Sequence, residues 1–501
     1  MQNAIELRMN RLGDLIDGMP RLIQAGMGAH ISCARLANIT SRLGALGVVS
    51  GIGLRTIMVE EVRKGNREVI DTAATFPISH YFDELMQYAP GGALQDKAVP
   101  MDSPDPRHSE LPKRLATIGA YIEVMLARKG HDGKVGINVM WKSALTVLPS
   151  IYGAMLAGVD ALLCGAGVPM ELPDIVKRIR HGEDLAYAAL MGTGTSVKLR
   201  TARDNASRFL ARFKPPWMMP VLSNFAFPRR IMDIWHREND GARPAAFVLE
   251  HHMAGGHNAP PRNRVDFAEQ DDINSYFDKV RELGVPVYVA GAFPGGGSRD
   301  DFLDWISRGA YGLQVGSRFA LCEESGLRPD LREAVISANE RGVSEVLTAK
   351  LLSPTGYPFK YVPLAGTMAD PARYAARKRI CNRGYLLQAT QVQQSDGTTR
   401  ETYLCPAMPE KQYVSLGGKI EDTVGRVCLC NTLLSTAGYY TDRELPLVTL
   451  GVSGKDTTER LTARQVMEDI LTPEYVAQAE EDLAVRDLSV RDLPVRELCA
   501  A

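Results

Sequence analysis

Net charge is almost absent from this chain: 58 Lys and Arg stand against 59 Asp and Glu in 501 residues, a formal charge of −1. A generic nucleic-acid surface needs a basic excess, so that class of partner is excluded. Long apolar runs are missing as well. Residues 151–170 come closest, but Asp160 and several glycines break the stretch, so no membrane span is expected. Residues 1–8 lack the basic start and apolar run of a signal peptide. A cytoplasmic, reduced location is the resulting expectation, and the eight Cys are not read as a disulfide framework. Histidine is scarce, nine in the whole chain, so any place where it collects carries weight.

What the chain does have is 45% hydrophobic residues, arranged as short apolar runs with helical stretches between them. The runs are Arg21-Leu22-Ile23-Gln24-Ala25-Gly26, Leu46-Gly47-Val48-Val49-Ser50-Gly51, Val135-Gly136-Ile137-Asn138-Val139-Met140 and Ala161-Leu162-Leu163-Cys164-Gly165. They continue with Met218-Met219-Pro220-Val221-Leu222-Ser223, Pro244-Ala245-Ala246-Phe247-Val248-Leu249, Val287-Tyr288-Val289-Ala290-Gly291 and Gly312-Leu313-Gln314-Val315-Gly316-Ser317. Residues 143–156, 228–237 and 299–308 read as intervening helices. Strands alternating with helices predict a parallel sheet, and this many units predict an α/β fold, a (β/α)8 TIM barrel. A doubly wound open sheet is the alternative that spacing leaves open.

The barrel is assigned to residues 1–345, with insertions near 64–113 and 181–216. A smaller, Cys-containing extension occupies 346–454, and a tail occupies 455–501. The first insertion carries Pro-Gly-Gly and Ser-Pro-Asp-Pro punctuation and is expected to lie over the site. The second carries Met191-Gly192-Thr193-Gly194-Thr195 and falls between the fourth and fifth strands. Loops after barrel strands build active sites, so both are expected to shape substrate choice.

Three histidines collect at the end of the sixth run, in Glu250-His251-His252-Met253-Ala254-Gly255-Gly256-His257-Asn258. Imidazole titrates nearest neutrality and suits proton abstraction, while paired glycines let backbone approach a ligand. If the strand continues this far, His251 and His252 point to opposite sides. His252 is then expected to face inward with Glu250. A capped loop without chemistry is the bland alternative.

Taken together, these residues resemble the nitronate monooxygenase (2-nitropropane dioxygenase) family. The likeness rests on Pro20-Arg21-Leu22-Ile23-Gln24-Ala25-Gly26-Met27, Gly136-Ile137-Asn138, Ala254-Gly255-Gly256-His257, Val289-Ala290-Gly291 and Gly316-Ser317-Arg318-Phe319, in that order over residues 15–330. The resemblance implies FMN at the barrel mouth and dioxygen as co-substrate. Ala25, Gly26, Asn138 and Gly256 would border the ring, and Gly291, Ala292, Gly316 and Ser317 would hold the phosphate. His257 would be the base acting on a small-molecule carbon acid, with His252 as the second catalytic candidate. Departures are visible: Ala292 replaces a second glycine, with Gly295-Gly296-Gly297 following as a substitute anion nest, and Met253 replaces an acidic residue. Two other enzyme readings stay open, an FMN-dependent enoyl reductase and a flavin-independent oxygenase acting on an enolisable or indole-like substrate. A barrel kept only as a binding scaffold is the fourth.

The extension contains Cys381, Cys405, Cys428 and Cys430. Four thiolates could bind zinc or an iron–sulfur cluster, but neither pair is spaced C-x2-C. Burial is the favoured reading, and no metal ligand is assigned. Ser353-Pro354-Thr355-Gly356-Tyr357-Pro358-Phe359 is read as a crossing that helps close the barrel mouth. The repeats Val485-Arg486-Asp487-Leu488, Val490-Arg491-Asp492-Leu493 and Val495-Arg496-Glu497-Leu498 are read as a solvated tail or subunit contact, which would be compatible with a homo-oligomer.

Overall fold

Each of the eight apolar runs forms a strand, and the strands close on themselves. The computed structural model describes residues 18–103, 106–187, 197–259, 261, 271–393 and 397–484. The barrel strands are β1 (Leu22–Gln24), β2 (Leu46–Ser50), β3 (Val135–Met140), β4 (Ala161–Gly165), β5 (Trp217–Leu222), β6 (Phe247–Glu250), β7 (Val287–Ala290) and β8 (Gly312–Val315). All neighbours are parallel, and β1 closes on β8 through Leu22 opposite Leu313. The barrel is therefore the correct architecture, and the open sheet is excluded.

Two layers of packing follow from side-chain alternation along the strands. Ile23, Val48, Leu163, Met219 and Val248 fill the barrel interior above Tyr288 and Tyr311. The Tyr311 hydroxyl donates to the Met19 carbonyl at 2.6 Å, which seals the lower end. Leu22, Val49, Ile137, Leu162, Leu249 and Leu313 face outward into the helical layer. On β6, Val248 points in, so Glu250 at the strand's upper end points in as well.

The second insertion lies between β4 and β5 as expected, but the described residues of neither insertion line the mouth. Residues 64–113 follow the helix Leu54–Arg63 and run into the long helix Pro106–Ala127. Residues 181–216 follow the helix Leu172–His181 and form a small antiparallel pair, Leu185–Tyr187 with Val197–Leu199. Each comes after its crossover helix rather than directly after a strand. Among the described residues neither contributes to the wall of the mouth cavity. The Met191–Thr195 motif lies outside the described residues.

The chain after residue 345 roofs the barrel instead. The segment around Tyr357–Lys360 pairs with the loop after β6: His257 bridges Phe359, Lys360 N–H donates to the Gly256 carbonyl at 2.9 Å, and Asn258 N–H donates to Pro358. Further on, Gly256 N–H donates to Thr449 Oγ1 at 2.9 Å, and Val452 N–H donates to Met253. The helices Ala463–Leu471 and Pro473–Asp482 then fold back, burying Val466, Met467 and Ile470. Part of the assigned tail is thus packed structure; the three repeats lie outside the described residues. No described helix is long and apolar enough to cross a membrane.

Candidate active site

The ends of the strands leave a cavity of about 320 Å³ between barrel and roof, within the usual range for small-molecule sites. Ala25, Gly26, Asn138 and Gly256 line it, as do His257, Gly291, Gly316 and Ser317. The sequence therefore named eight positions that meet in space. Ala292 is buried but not on the wall; its carbonyl accepts from Trp305 Nε1 at 3.1 Å.

His252 does not line the cavity either. The expected alternation fails because β6 ends at Glu250 and the chain turns at once, Ala254 N–H donating to the His251 carbonyl at 2.9 Å. The two rings lie against each other, centroids 4.0 Å apart. Met253 N–H donates to His251 Nδ1 at 3.2 Å, and His251 Nε2 lies 3.4 Å from Asp272. Burial, and then the neighbouring His251, push His252 down to about 4. This pair therefore builds the turn and stays outside the chamber.

His257 stands in the chamber and carries no charge at neutral pH. Burial, aided by the nearby Lys142 ammonium, holds its imidazole down at about 3. Its Nε2 lies 2.7 Å from Ser353 Oγ, and Ser353 Oγ lies 2.8 Å from Thr355 Oγ1. Thr355 N–H also donates to Ser353 Oγ. One arrangement that satisfies this chain has Nε2–H donating to Ser353 and the Ser353 hydroxyl donating to Thr355. Nδ1 then keeps the free lone pair. The Phe359 ring, edge-on at 4.9 Å, fixes the ring plane from the roof side.

Glu250 is the functional candidate that the sequence reading used only as a register mark. It lines the same cavity, and among the described residues no other Lys, Arg, Asp or Glu does. Burial alone pushes it up to about 8, so it is protonated at neutral pH. A single acidic residue at the end of an otherwise apolar inward strand was the available signal. The chamber thus holds a neutral base and a protonated acid, the two states that proton transfer needs.

The glycines differ in what they accommodate. A side chain on Gly26 would collide with Asn138, whose Nδ2 donates to the Gly26 carbonyl at 2.9 Å. Asn138 therefore ties β3 to β1 as well as facing the cavity. Gly291 has φ +77°, and its free side is taken by Ala254 at 2.7 Å. The substitute anion nest is already filled: Asp301 accepts the N–H groups of Gly295, Gly297 and Ser298 at 2.8–3.1 Å. Gly316 and Ser317 remain at the wall, joined there by Gly451 and Ser453 from the roof.

The four extension cysteines also come together. Cys405 is buried in one apolar cluster with Leu404, Val427 and Leu429, and Cys381, Cys428 and Cys430 pack against it; Asn431 Nδ2 donates to Cys428 Sγ at 3.5 Å. Cys430 lies on the cavity wall beside Leu429 and Leu433. Among the described residues, no three His, Cys, Asp or Glu side chains are gathered as ligands of one metal ion.

No protein-family model matches the chain, and no curated protein matches it by sequence. Among solved structures it is similar to FabK from Thermotoga maritima, with a TM-score of 0.50 and 15% identity over 94% of this chain and 97% of that one. Nitroalkane oxidase from Streptomyces ansochromogenes is similar at 0.46 and 14%, over 94% and 99%. The enoyl reductase domain of MlnA from Bacillus amyloliquefaciens is similar at 0.44 and 10%, over 94% and 97%. At such identities the likeness is one of fold.

Proposed function

We propose that this protein is a flavin-linked oxidoreductase in which His257 takes a proton from a small carbon acid, with dioxygen as oxidant. The observation that carries the reading is the neutral His257 held by Ser353 in a chamber shared with Ala25, Gly26, Asn138 and Gly316. Bound FMN would supply the electron acceptor. The cavity suits such a group in its chemistry. Apolar walls at Ala25, Val221 and Phe227 face the polar ends of Asn138 and Gln314. Asn258, also on the wall, has a buried Oδ1 without a hydrogen-bond partner, an acceptor in need of a donor.

Ala25, Gly26 and Asn138 would hold the ring, with Gly256 at its border. Gly291, Gly316 and Ser317 would hold the phosphate, with Ala292 acting only through the turn it supports. No Lys or Arg among the described residues lines the cavity; there, N–H groups and hydroxyls would meet the phosphate charge. Burial keeps the His257 imidazole uncharged at neutral pH, and the negative charge that develops on the substrate during transfer would raise its proton affinity. Ser353 keeps the ring from rotating, and the roof excludes water from the reacting pair.

Glu250 favours a second reading. A protonated carboxyl in the chamber is one group that can deliver the proton when an activated double bond is reduced. Substrate trials separate the two. Oxygen uptake driven by a nitroalkane without reductant supports the oxidase reading. Anaerobic oxidation of NADPH dependent on an enoyl thioester supports the reductase. The first test is the visible spectrum of the purified protein before and after FMN addition. Flavin bands that survive desalting support the cofactor assignment, and a protein that takes up none overturns it.

A further inference from the structure

We propose that His30 and Glu123 position the loop after β1 through a charge pair that only the protonated imidazole completes, so that the mouth cavity takes up its ligand more tightly on the acid side. The pair is a property of this chain; only its effect on FMN uptake rests on the flavin reading.

Ala25, Gly26, Met27 and Gly28, at the start of this loop, all lie on the cavity wall. Ser32 ties the loop back on itself: its Oγ donates to the Ala25 carbonyl at 2.6 Å and accepts from Met27 N–H at 2.9 Å. Between these ties His30 takes φ +66°, a left-handed conformation uncommon outside glycine. Surrounding contacts must hold a residue there. Gly326 N–H donates to the Ile31 carbonyl at 2.9 Å, and the His30 ring stands edge-on to Tyr439 of the roof, centroids 5.7 Å apart.

Glu123 reaches the same corner from the helix Pro106–Ala127 and is only 1% exposed. Its Oε1 lies 3.3 Å from His30 Nδ1 and accepts the Ala34 N–H at 2.7 Å. Ala34 opens the helix Ala34–Arg42, and Cys33 before it supplies no side-chain cap, so the carboxylate takes that place. Glu123 Oε2 is buried without a hydrogen-bond partner. A buried carboxylate needs a compensating cation. Among the described residues, His30 is the one cation within ion-pair distance of it.

The neighbouring groups leave His30 as the member that changes charge near neutrality. Burial disfavours its charged ring, but Glu123 and then Glu61 outweigh this and raise it above 6.5, with Lys64 acting against them. Lys64 pairs with Glu61 at 2.8 Å, and the Tyr439 hydroxyl donates to Glu61 at 3.0 Å. Burial and Glu61 keep Tyr439 protonated. Cys33 is pushed up to about 11, by burial and then by Glu123, and stays a thiol. Loss of the His30 proton leaves Glu123 buried and unpaired, which strongly destabilises such a site. The segment that can yield is the loop carrying Met27 and Gly28.

The full chain, labelled with carbon-13 in its methionine methyls and histidine rings, is titrated from pH 5.5 to 9 by nuclear magnetic resonance. Met27→Leu and His30→Asn identify the two signals. His30 should titrate above 6.5, and the Met27 methyl should move with the same midpoint. In His30→Asn, where the new residue tolerates positive φ, that movement should vanish. In Glu123→Gln the His30 midpoint should fall. A native His30 midpoint at or below 6.5, or a Met27 methyl that moves equally in His30→Asn, overturns the proposal. A Glu123→Gln protein that fails to fold leaves the decision to His30→Asn. FMN affinity is then read by fluorescence quenching at pH 6 and pH 9, in Glu250→Gln protein because Glu250 ionises in the same range. It should weaken at least about fivefold at the higher pH, and adding His30→Asn should remove the difference. Equal affinity at both pH values overturns the link to the cavity. A protein that takes up no FMN at either pH counts against the flavin reading, and the Met27 titration still decides the charge pair.

Discussion

His257 Nε2 and Ser353 Oγ lie 2.7 Å apart, joining a barrel loop to a roof residue 96 positions later in the chain. The base and its positioning partner therefore come from different parts of the molecule. The barrel supplies the imidazole, and the extension engages its Nε2.

His257→Ala should lower substrate-dependent turnover by about 10²- to 10⁴-fold, the usual contribution of a general base. Ser353→Ala should cost less, about 10- to 100-fold in kcat, because the ring is misplaced rather than lost. Ser353→Thr, which keeps the hydroxyl, should recover part of that loss. Steady-state kinetics on the three variants, with circular dichroism as the control for folding, checks this. Equal activity of Ser353→Ala and the unaltered protein would remove the hydroxyl from the mechanism.

Glu250 sets an alkaline limit. Its carboxyl is raised from 4.5 to about 8 by burial, so it can donate below that pH and not above. A rate that uses this proton should fall about tenfold per unit above pH 8. The same shift acts on stability. Between pH 4.5 and 8 the folded protein keeps a proton that the unfolded chain has released, so this contribution is complete below 4.5 and is lost as pH rises through 8. Glu250→Gln should remove the alkaline limb and raise Tm more at pH 9 than at pH 5. Thermal melts and pH–rate profiles measure both. A Glu250→Gln profile with the original alkaline limb would assign that limb elsewhere.

Asp301 closes the Gly295–Gly297 nest and caps the helix Arg299–Ser307 through a reciprocal bond with Ser298. Asp301→Ala leaves several N–H groups unmet and removes the cap. It should destabilise the fold by about 1–3 kcal/mol. Urea denaturation gives the value, and a change below about 0.5 kcal/mol would contradict the assigned role.

Gly451 touches the loop after β6 so closely that a Cβ would lie 2.9 Å from the Met253 carbonyl and 3.0 Å from the Gly255 nitrogen. Gly451→Ala should push the roof from the phosphate end of the cavity and weaken FMN uptake about tenfold or more. Fluorescence quenching on titration with FMN reads this directly. Unaltered affinity would mean that the roof does not shape this end of the site.

Much of the barrel was legible because its strands are buried on both faces and read as plain apolar runs. Wall positions were legible where backbone does the work: Gly26 and Gly316 closely follow β1 and β8, where chain position alone fixes location. Side-chain direction beyond a strand was not. The alternation rule placed His252 inside, but β6 stops at Glu250 and the turn redirects everything after it. The insertions were legible as excursions, the second between β4 and β5, but not in their point of departure, since hydrophobic spacing does not say whether an excursion leaves from a strand or from a helix. The meeting of Cys381, Cys405 and Cys428–Cys430 depends on contacts such as Asn431 with Asn382, which no local pattern encodes.

The roof also imposes an order on events. Gly256 finds its Thr449 partner across 193 residues of chain, a contact between segments synthesised far apart in time. His257 is made before Ser353, Phe359 or Gly451 can reach it. Until they arrive the imidazole lacks its serine, and the core that the barrel shares with Val466, Met467 and Ile470 is incomplete. Closure at this range is slow, so the chamber is among the last parts of the molecule to take shape.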